Sequence, residues 1–124
     1  MRVLIVDDNY EYRRLLRRIL AEQQDLMLVA EASDGEEGVR LAQQLKPDVI
    51  LMDIDMPGTN GLQATRRIKE SLASATVLLV SALDSEAHRE CAMDCGADTY
   101  LPKTTPISEF LSVIRRVQRT KATF

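Results

Sequence analysis

The sequence predicts an α/β fold: a doubly wound parallel sheet of five strands with five helices. Three observations predict it. Short apolar runs alternate with amphipathic stretches from end to end, the pattern of a parallel sheet covered by helices on both faces. Several runs are nearly solid Val, Ile and Leu, as strands buried on both sides require. Polar residues then follow the runs. Asp7-Asp8 follows Val3-Leu4-Ile5-Val6, Asp53 follows Val49-Ile50-Leu51-Met52, Ser81 follows Val77-Leu78-Leu79-Val80, and Lys103 follows Thr99-Tyr100-Leu101. In such a sheet these positions share the carboxyl edge, where open α/β sheets bind ligands.

The strands are predicted over 2–7, 26–31, 48–53, 76–81 and 97–101. In the first helix Tyr12, Leu15, Leu16, Ile19 and Leu20 recur at i, i+3, i+4, i+7, i+8, one buried stripe. Arg13, Arg14, Arg17 and Arg18 fill the other side and read as a solvated face. The second helix runs over 34–46 with Gly38, Leu41, Ala42 and Leu45 inward. Ser33 or Asp34 can cap it, Glu36 and Glu37 suit its first turn, and Pro47 ends it. The third starts near Asn60 and carries Leu62, Thr65, Ile68 and Leu72. The fourth spans 85–95 with a weaker stripe of Ala87, Cys91, Ala92 and Cys95, and Gly96 as its stop. The fifth opens at Pro106 and buries Ile107, Phe110, Leu111, Ile114 and Val117. Residues 1–117 form one domain, and 118–124 read as a frayed tail or the start of a linker.

The chain has 124 residues, enough for one core. Its 45% apolar and 28% charged residues are ordinary for a globular domain. No apolar run approaches the roughly 20 residues that span a bilayer, and the N-terminus is no signal peptide, so a cytoplasmic location without membrane contact is expected. Net charge is −3 and pI about 5.2, which argues against nucleic-acid binding by this chain itself. Arg115, Arg116, Arg119 and Lys121 read as helix-end and linker charges. Cys91 and Cys95, spaced i, i+4, read as small, partly buried residues on one helix face; His88 is the single histidine, too few ligands for zinc.

Asp7, Asp8 and Asp53 would bring three carboxylates to adjacent strand ends. Packed so closely they repel one another and call for a cation. Magnesium takes oxygen ligands, and a metal so held can neutralise charge on a phosphoryl group. Lys103 supplies a second positive group and Ser81 a hydroxyl. Asp53, on the central strand of a doubly wound sheet, is the candidate nucleophile, since aspartate can form an acyl phosphate. The turn Met56-Pro57-Gly58-Thr59-Asn60-Gly61 is expected to leave its carboxylate exposed.

These residues, in this order, resemble a response-regulator receiver domain of two-component signalling. The resemblance spans about 2–117. It rests on Val3-Leu4-Ile5-Val6-Asp7-Asp8, on Pro47-Asp48, on Met52-Asp53-Ile54-Asp55-Met56-Pro57-Gly58 with Gly61, and on Ser81-Ala82. Gly96-Ala97-Asp98, Tyr100-Leu101 and Lys103 complete it. It implies a flavodoxin-like sheet of order 2-1-3-4-5. It implies Asp53 as phosphoacceptor from a sensor histidine kinase or a small acyl phosphate. It further implies Mg²⁺ bound by Asp8 and Asp53, by Asp7 through a water, and by the backbone carbonyl of Asp55. Ser81 would reach the phosphoryl group on activation, Lys103 would pair with it, and Tyr100 would turn inward as a switch. The output face would be helix four, strand five and helix five, and a homodimer is possible. The chain would catalyse only its own phosphorylation and dephosphorylation.

Three departures refine this. Thr104 follows Lys103 where many receivers have a cis proline, so no cis bond is expected there. This form, with Pro106 three residues after the lysine, looks most like receivers of LuxR-type helix-turn-helix regulators. Asp55 adds an acidic side chain two residues after the acceptor. No effector follows, so a longer transcriptional regulator is expected, with a stand-alone receiver as the alternative. A haloacid-dehalogenase-type phosphatase would use Asp53-Ile54-Asp55 as its nucleophile motif, but Pro57 stands where that motif wants Thr or Val, and its acidic pair comes late in the chain. A flavodoxin-type FMN module would need a phosphate loop where Asp7-Asp8-Asn9-Tyr10-Glu11 stands. A degenerate scaffold would lack chemical positions that are all present here.

Overall fold

A computed structural model describes residues 1–122, and side chains as far as Gln118. Five strands and five helices alternate: β1 Arg2–Val6, α1 Tyr10–Ala21, β2 Met27–Ala32, α2 Gly35–Leu45, β3 Val49–Asp53, α3 Gly61–Ser71, β4 Thr76–Ser81, α4 Glu86–Asp94, β5 Thr99–Pro102 and α5 Ile107–Ala122. All strand pairs are parallel and the order is β2-β1-β3-β4-β5, as the resemblance implies. The peptide bonds of the described residues are trans, Lys103–Thr104 included.

Strand side chains alternate between the faces of the sheet, and each face has its own core. Leu4, Val6, Ile50, Met52, Val77 and Leu79 pack against α2, α3 and α4. Val3, Ile5, Leu51, Leu78 and Val80 pack against α1 and α5. Both central strands, β3 and β4, are buried throughout, which is why their sequences are solid apolar runs. β2, at an edge, is mostly half-buried.

The helix caps follow local chemistry. Asn9, Asp34, Asn60 and Ser85 each accept a backbone N–H of the first turn. Asn60 and Gln63 form a reciprocal capping box. Lys46 ends α2 in the left-handed region at φ 48°, ahead of Pro47.

Several expected stripes are corrected. Leu15 is 47% exposed, because α1 meets the sheet through Leu16 and Leu20, with Ile19 and Tyr12 at the margin. In α2 Gly38 and Ala42 are inward as expected and Leu41 packs at the core margin, but Leu45 is only half-buried and Gly35 and Val39 join the inward side. In α4, Ala92 and Cys95 are buried while Ala87 and Cys91 are exposed. That helix has nine residues and touches the core along one edge only. Cys91 and Cys95 therefore differ in environment. Ile107, expected inside, is 48% exposed at the start of α5. Strand five begins two residues late, because Asp98 turns to accept Val77 N–H and the Lys69 ammonium, both at 2.8 Å. Helix α5 continues to Ala122, past the expected boundary at 117. Residues 123–124 and the side chains of Arg119 and Lys121 lie outside the described residues.

Two glycines of the β3–α3 turn have distinct reasons. Gly58 has φ 75° with open space around it, so its conformation favours glycine. A Cβ on Gly61 would lie 2.0 Å from the Asp53 carbonyl oxygen, so the start of α3 approaches the end of β3 only without a side chain. Gly61→Ala is expected to cost about 2–3 kcal/mol, as overpacking against backbone does, and Gly58→Ala about 1 kcal/mol. Urea denaturation would rank the two; equal losses would refute the close-approach argument.

Candidate functional site

Register brings the acidic residues together. Val6 pairs with Met52, so the next residues, Asp7 and Asp53, emerge side by side. By alternation both follow Ile5 and Leu51 onto the α1/α5 face. Lys103 follows Leu101 onto that face. Backbone bonds carry the ladders past the strand ends and hold these positions: Asp7 N–H donates to Ala32 O at 3.0 Å, and Lys103 N–H to Ser81 O at 2.7 Å.

The Lys103 ammonium lies 2.8 Å from Asp7 Oδ2 and 3.6 Å from Asp53 Oδ1. It also sits 4.4 Å from the centroid of the Tyr12 ring. Asp7 Oδ1 accepts Asn9 N–H at 2.8 Å, while the buried Oδ2 meets the ammonium without a hydrogen bond of good geometry. Contrary to expectation, the Asp53 side chain is only 4% exposed. Asp7 and Lys103 lie against it, and the turn after it does not open it to solvent.

Burial pushes the Asp53 carboxyl up to about 7, and the Asp7 charge pushes the same way; Lys103 and a backbone hydrogen bond from Asp55 oppose, and Asp8 adds a smaller upward push. The Tyr12 hydroxyl is raised above its ordinary value by burial and by the charges of Asp7 and Asp53. Among the described residues, Asp7, Asp8 and Asp53 bring ligand oxygens within 4.8 Å of one another. An all-oxygen, carboxylate-rich donor set with one exposed member suits a hard divalent cation that keeps waters. The residues thus fit such an ion.

Ser81 and Tyr100 share the edge but occupy the other face. Ser81 follows Leu79, and Tyr100 belongs to the same core as Leu79. The buried Ser81 hydroxyl donates to Asp55 Oδ2 at 3.2 Å and accepts Leu83 N–H at 3.1 Å. The Tyr100 ring is buried, its hydroxyl donates to the Leu83 carbonyl, and Arg89 lies over it at 5.0 Å. His88 Nε2 faces Asp55 Oδ1 at 3.9 Å, beside an apolar cleft of about 470 Å³ between the β3–α3 turn and α4.

Two neighbours of the site were not legible as such. Arg13 is not on a solvated face. Its side chain is 15% exposed, it pairs with Glu31 at 3.2 Å, and it donates to the Asp7 carbonyl at 2.6 Å. Tyr12, read as core, has its ring on the lysine. Nothing in residue spacing separates these roles from ordinary helix packing.

A family model for the response-regulator receiver domain matches residues 3–115. The chain belongs to the response-regulator receiver family. Within that family, this receiver is 38% identical over 119 residues to the transcriptional regulatory protein LiaR of Bacillus subtilis, covering 96% of the chain and 56% of LiaR. The chain thus spans little more than half the length of that relative. The crystal structure of the response regulator domain of Thermotoga maritima CheB superposes with a TM-score of 0.88 at 37% identity, covering 96% of each chain. A LuxR-family two-component response regulator from an Aurantimonas species superposes at 0.91 with 30% identity, covering 96% of this chain and 85% of that one. The receiver fold and the likeness to LuxR-type regulators are therefore established for this chain.

The raised Asp53 carboxyl has a consequence for stability. Its folded value lies above the ordinary one, so between roughly pH 4 and 7 the folded state holds more protons than the unfolded state. Its contribution is full below the ordinary carboxylate range and is lost as pH rises through about 7. Urea midpoints of wild type relative to Asp53→Asn are expected to fall across that interval and level off above it. A flat difference would contradict the burial argument.

Proposed function

We propose that this receiver takes a phosphoryl group onto Asp53 from a sensor histidine kinase or a small acyl phosphate, in a Mg²⁺-dependent reaction. The observation that carries this is the side-by-side placement of Asp7 and Asp53 with the Lys103 ammonium against both. An Asp53 oxygen attacks phosphorus, the bond to the donor atom breaks, and its electron pair leaves with the donor. Asp53, Asp8, Asp7 and the Asp55 carbonyl would hold the cation, which when bound supplies charge neutralisation for the carboxylates and the phosphoryl oxygens. Lys103 shifts from Asp7 toward a phosphoryl oxygen. Asp53 acts as a carboxylate, the form its position beside a cation and an ammonium favours.

The switch is carried by Ser81. Engaging a phosphoryl group requires its hydroxyl to leave Asp55 and cross to the face of Asp53, drawing the β4–α4 loop with it. Tyr100, already buried and bonded to that loop through Leu83, couples the movement to α4, β5 and α5. The chain turns over no separate substrate in this reading. Similarity to LiaR, a transcriptional regulator, supports transcription as the output, through an effector outside these residues. Homodimerisation is a further proposal. No described helix is long and apolar enough to cross a membrane; a cytoplasmic site of action is part of this proposal.

Incubation with acetyl phosphate and Mg²⁺, followed by intact mass, tests the reading. Wild type is expected to gain one phosphoryl group. Asp53→Asn, or wild type with the metal chelated, is expected to gain none. Lys103→Ala is expected to slow uptake at least tenfold, about 1.4 kcal/mol in the barrier. Modification of Asp53→Asn at the wild-type rate would overturn the assignment.

A further inference from the structure

The reading above leaves Tyr12 without a task, although its ring touches the group on which the chemistry depends. Lysine is a point charge on a flexible four-carbon stem. Here it stands between two carboxylates at unequal distances, 2.8 Å from Asp7 and 3.6 Å from Asp53. With nothing else to hold it, such a side chain collapses onto the nearer acid or swings into water.

The structure supplies a restraint through a closed circuit of contacts. Asp7 Oδ1 accepts the N–H of Asn9 at 2.8 Å. The Asn9 side chain, capping α1, accepts the N–H of Tyr12 at 3.0 Å. The Tyr12 ring meets the Lys103 ammonium at 4.4 Å, and that ammonium returns to Asp7 Oδ2. The ring is half-buried against the α1/α5 core, so its plane is set by packing as well as by the cap. A cation over an aromatic face is attracted to it, more strongly when both are withdrawn from water, and the Lys103 side chain is 17% exposed.

We propose that Tyr12 is a positioning residue of the phosphoacceptor site, whose ring face confines the Lys103 ammonium to the arc between Asp7 and Asp53. The inference rests on the phosphoacceptor reading. The ring face is non-directional across that arc, so the ammonium slides from Asp7 to an incoming phosphoryl oxygen without first being rehydrated. The hydroxyl is not required for this, so phenylalanine serves and an aliphatic side chain of similar bulk does not.

The test compares wild type, Tyr12→Phe, Tyr12→Leu and Tyr12→Met. Phosphoryl uptake is measured by intact mass with acetyl phosphate below saturation and Mg²⁺ in excess, beside thermal unfolding of each variant. Tyr12→Leu and Tyr12→Met are expected to slow uptake roughly fivefold to tenfold, the scale of a partly desolvated cation–π contact. Tyr12→Phe is expected to restore it to within about twofold of wild type on the same scale. A spectroscopic signature accompanies this. The ε-methylene protons of Lys103 are expected upfield by ring current in wild type and Tyr12→Phe, and not in the aliphatic variants.

A merely structural ring would lower the unfolding temperature in the aliphatic variants and leave uptake unchanged, which would overturn the proposal. Tyr12→Phe as slow as Tyr12→Leu would overturn it as well, assigning the effect to the hydroxyl. So would a Lys103 signal that does not respond to loss of the ring. Wild type that takes no phosphoryl group removes the phosphoacceptor reading and this role with it, a result distinct from slow variants beside a competent wild type.

Discussion

Two carboxylates emerging side by side, at the ends of β1 and β3, are the constraint around which the rest of the site is built. The pairing of Val6 with Met52 leaves no other place for Asp7 and Asp53, and both are almost wholly buried. Two such charges repel in a medium of low polarisability. The fold answers with Lys103, reaching in from beyond β5, and with polar contacts on Asp7 from the first turn of α1. Asn9 donates to its carboxylate and Arg13 to its carbonyl. Burial, and after it the Asp7 charge, still raise the Asp53 carboxyl to about 7. The carboxylate oxygens of Asp7, Asp8 and Asp53 together could hold a hard cation.

The same constraint explains the backbone around it. Strand β3 ends where the chain must turn sharply and re-enter as α3. Gly61 N–H donates to Ile54 O at 3.0 Å, and its Cα lies where any side chain would strike Asp53. Asp53 is thus flanked by the turn that follows it, by Asp7, and by Lys103, whose ammonium lies over the Tyr12 ring.

Much of this was legible in the sequence, for physical reasons. Strands β1, β3 and β4 announce themselves because burial on both faces demands unbroken apolar runs. The chemical residues were identifiable because each follows such a run, and strand ends of a parallel sheet must share an edge. What escaped was the face each residue takes. That depends on register at positions just past the strands, so spacing does not tell that Ser81 rests on the face opposite Asp53, bonded to Asp55. Amphipathic stripes were misjudged where small residues blur the pattern, as in α4. Leu15 looked buried because α1 carries more leucine than its narrow contact with the sheet can cover. The buried Asp53 carboxylate, the inward Arg13 and the stacked Tyr12 depend on how α1 leans over the edge, which no spacing rule encodes.

The division of the edge between two faces gives the domain the character of a partition. Asp53 lies on the α1 side, and Ser81 is tied to Asp55 on the α4 side, one strand away, about 5 Å between neighbouring backbones. In the phosphoacceptor reading, an event at Asp53 would therefore cross only the thickness of a single β-strand to reach Ser81 and α4, with no long chain of intermediaries.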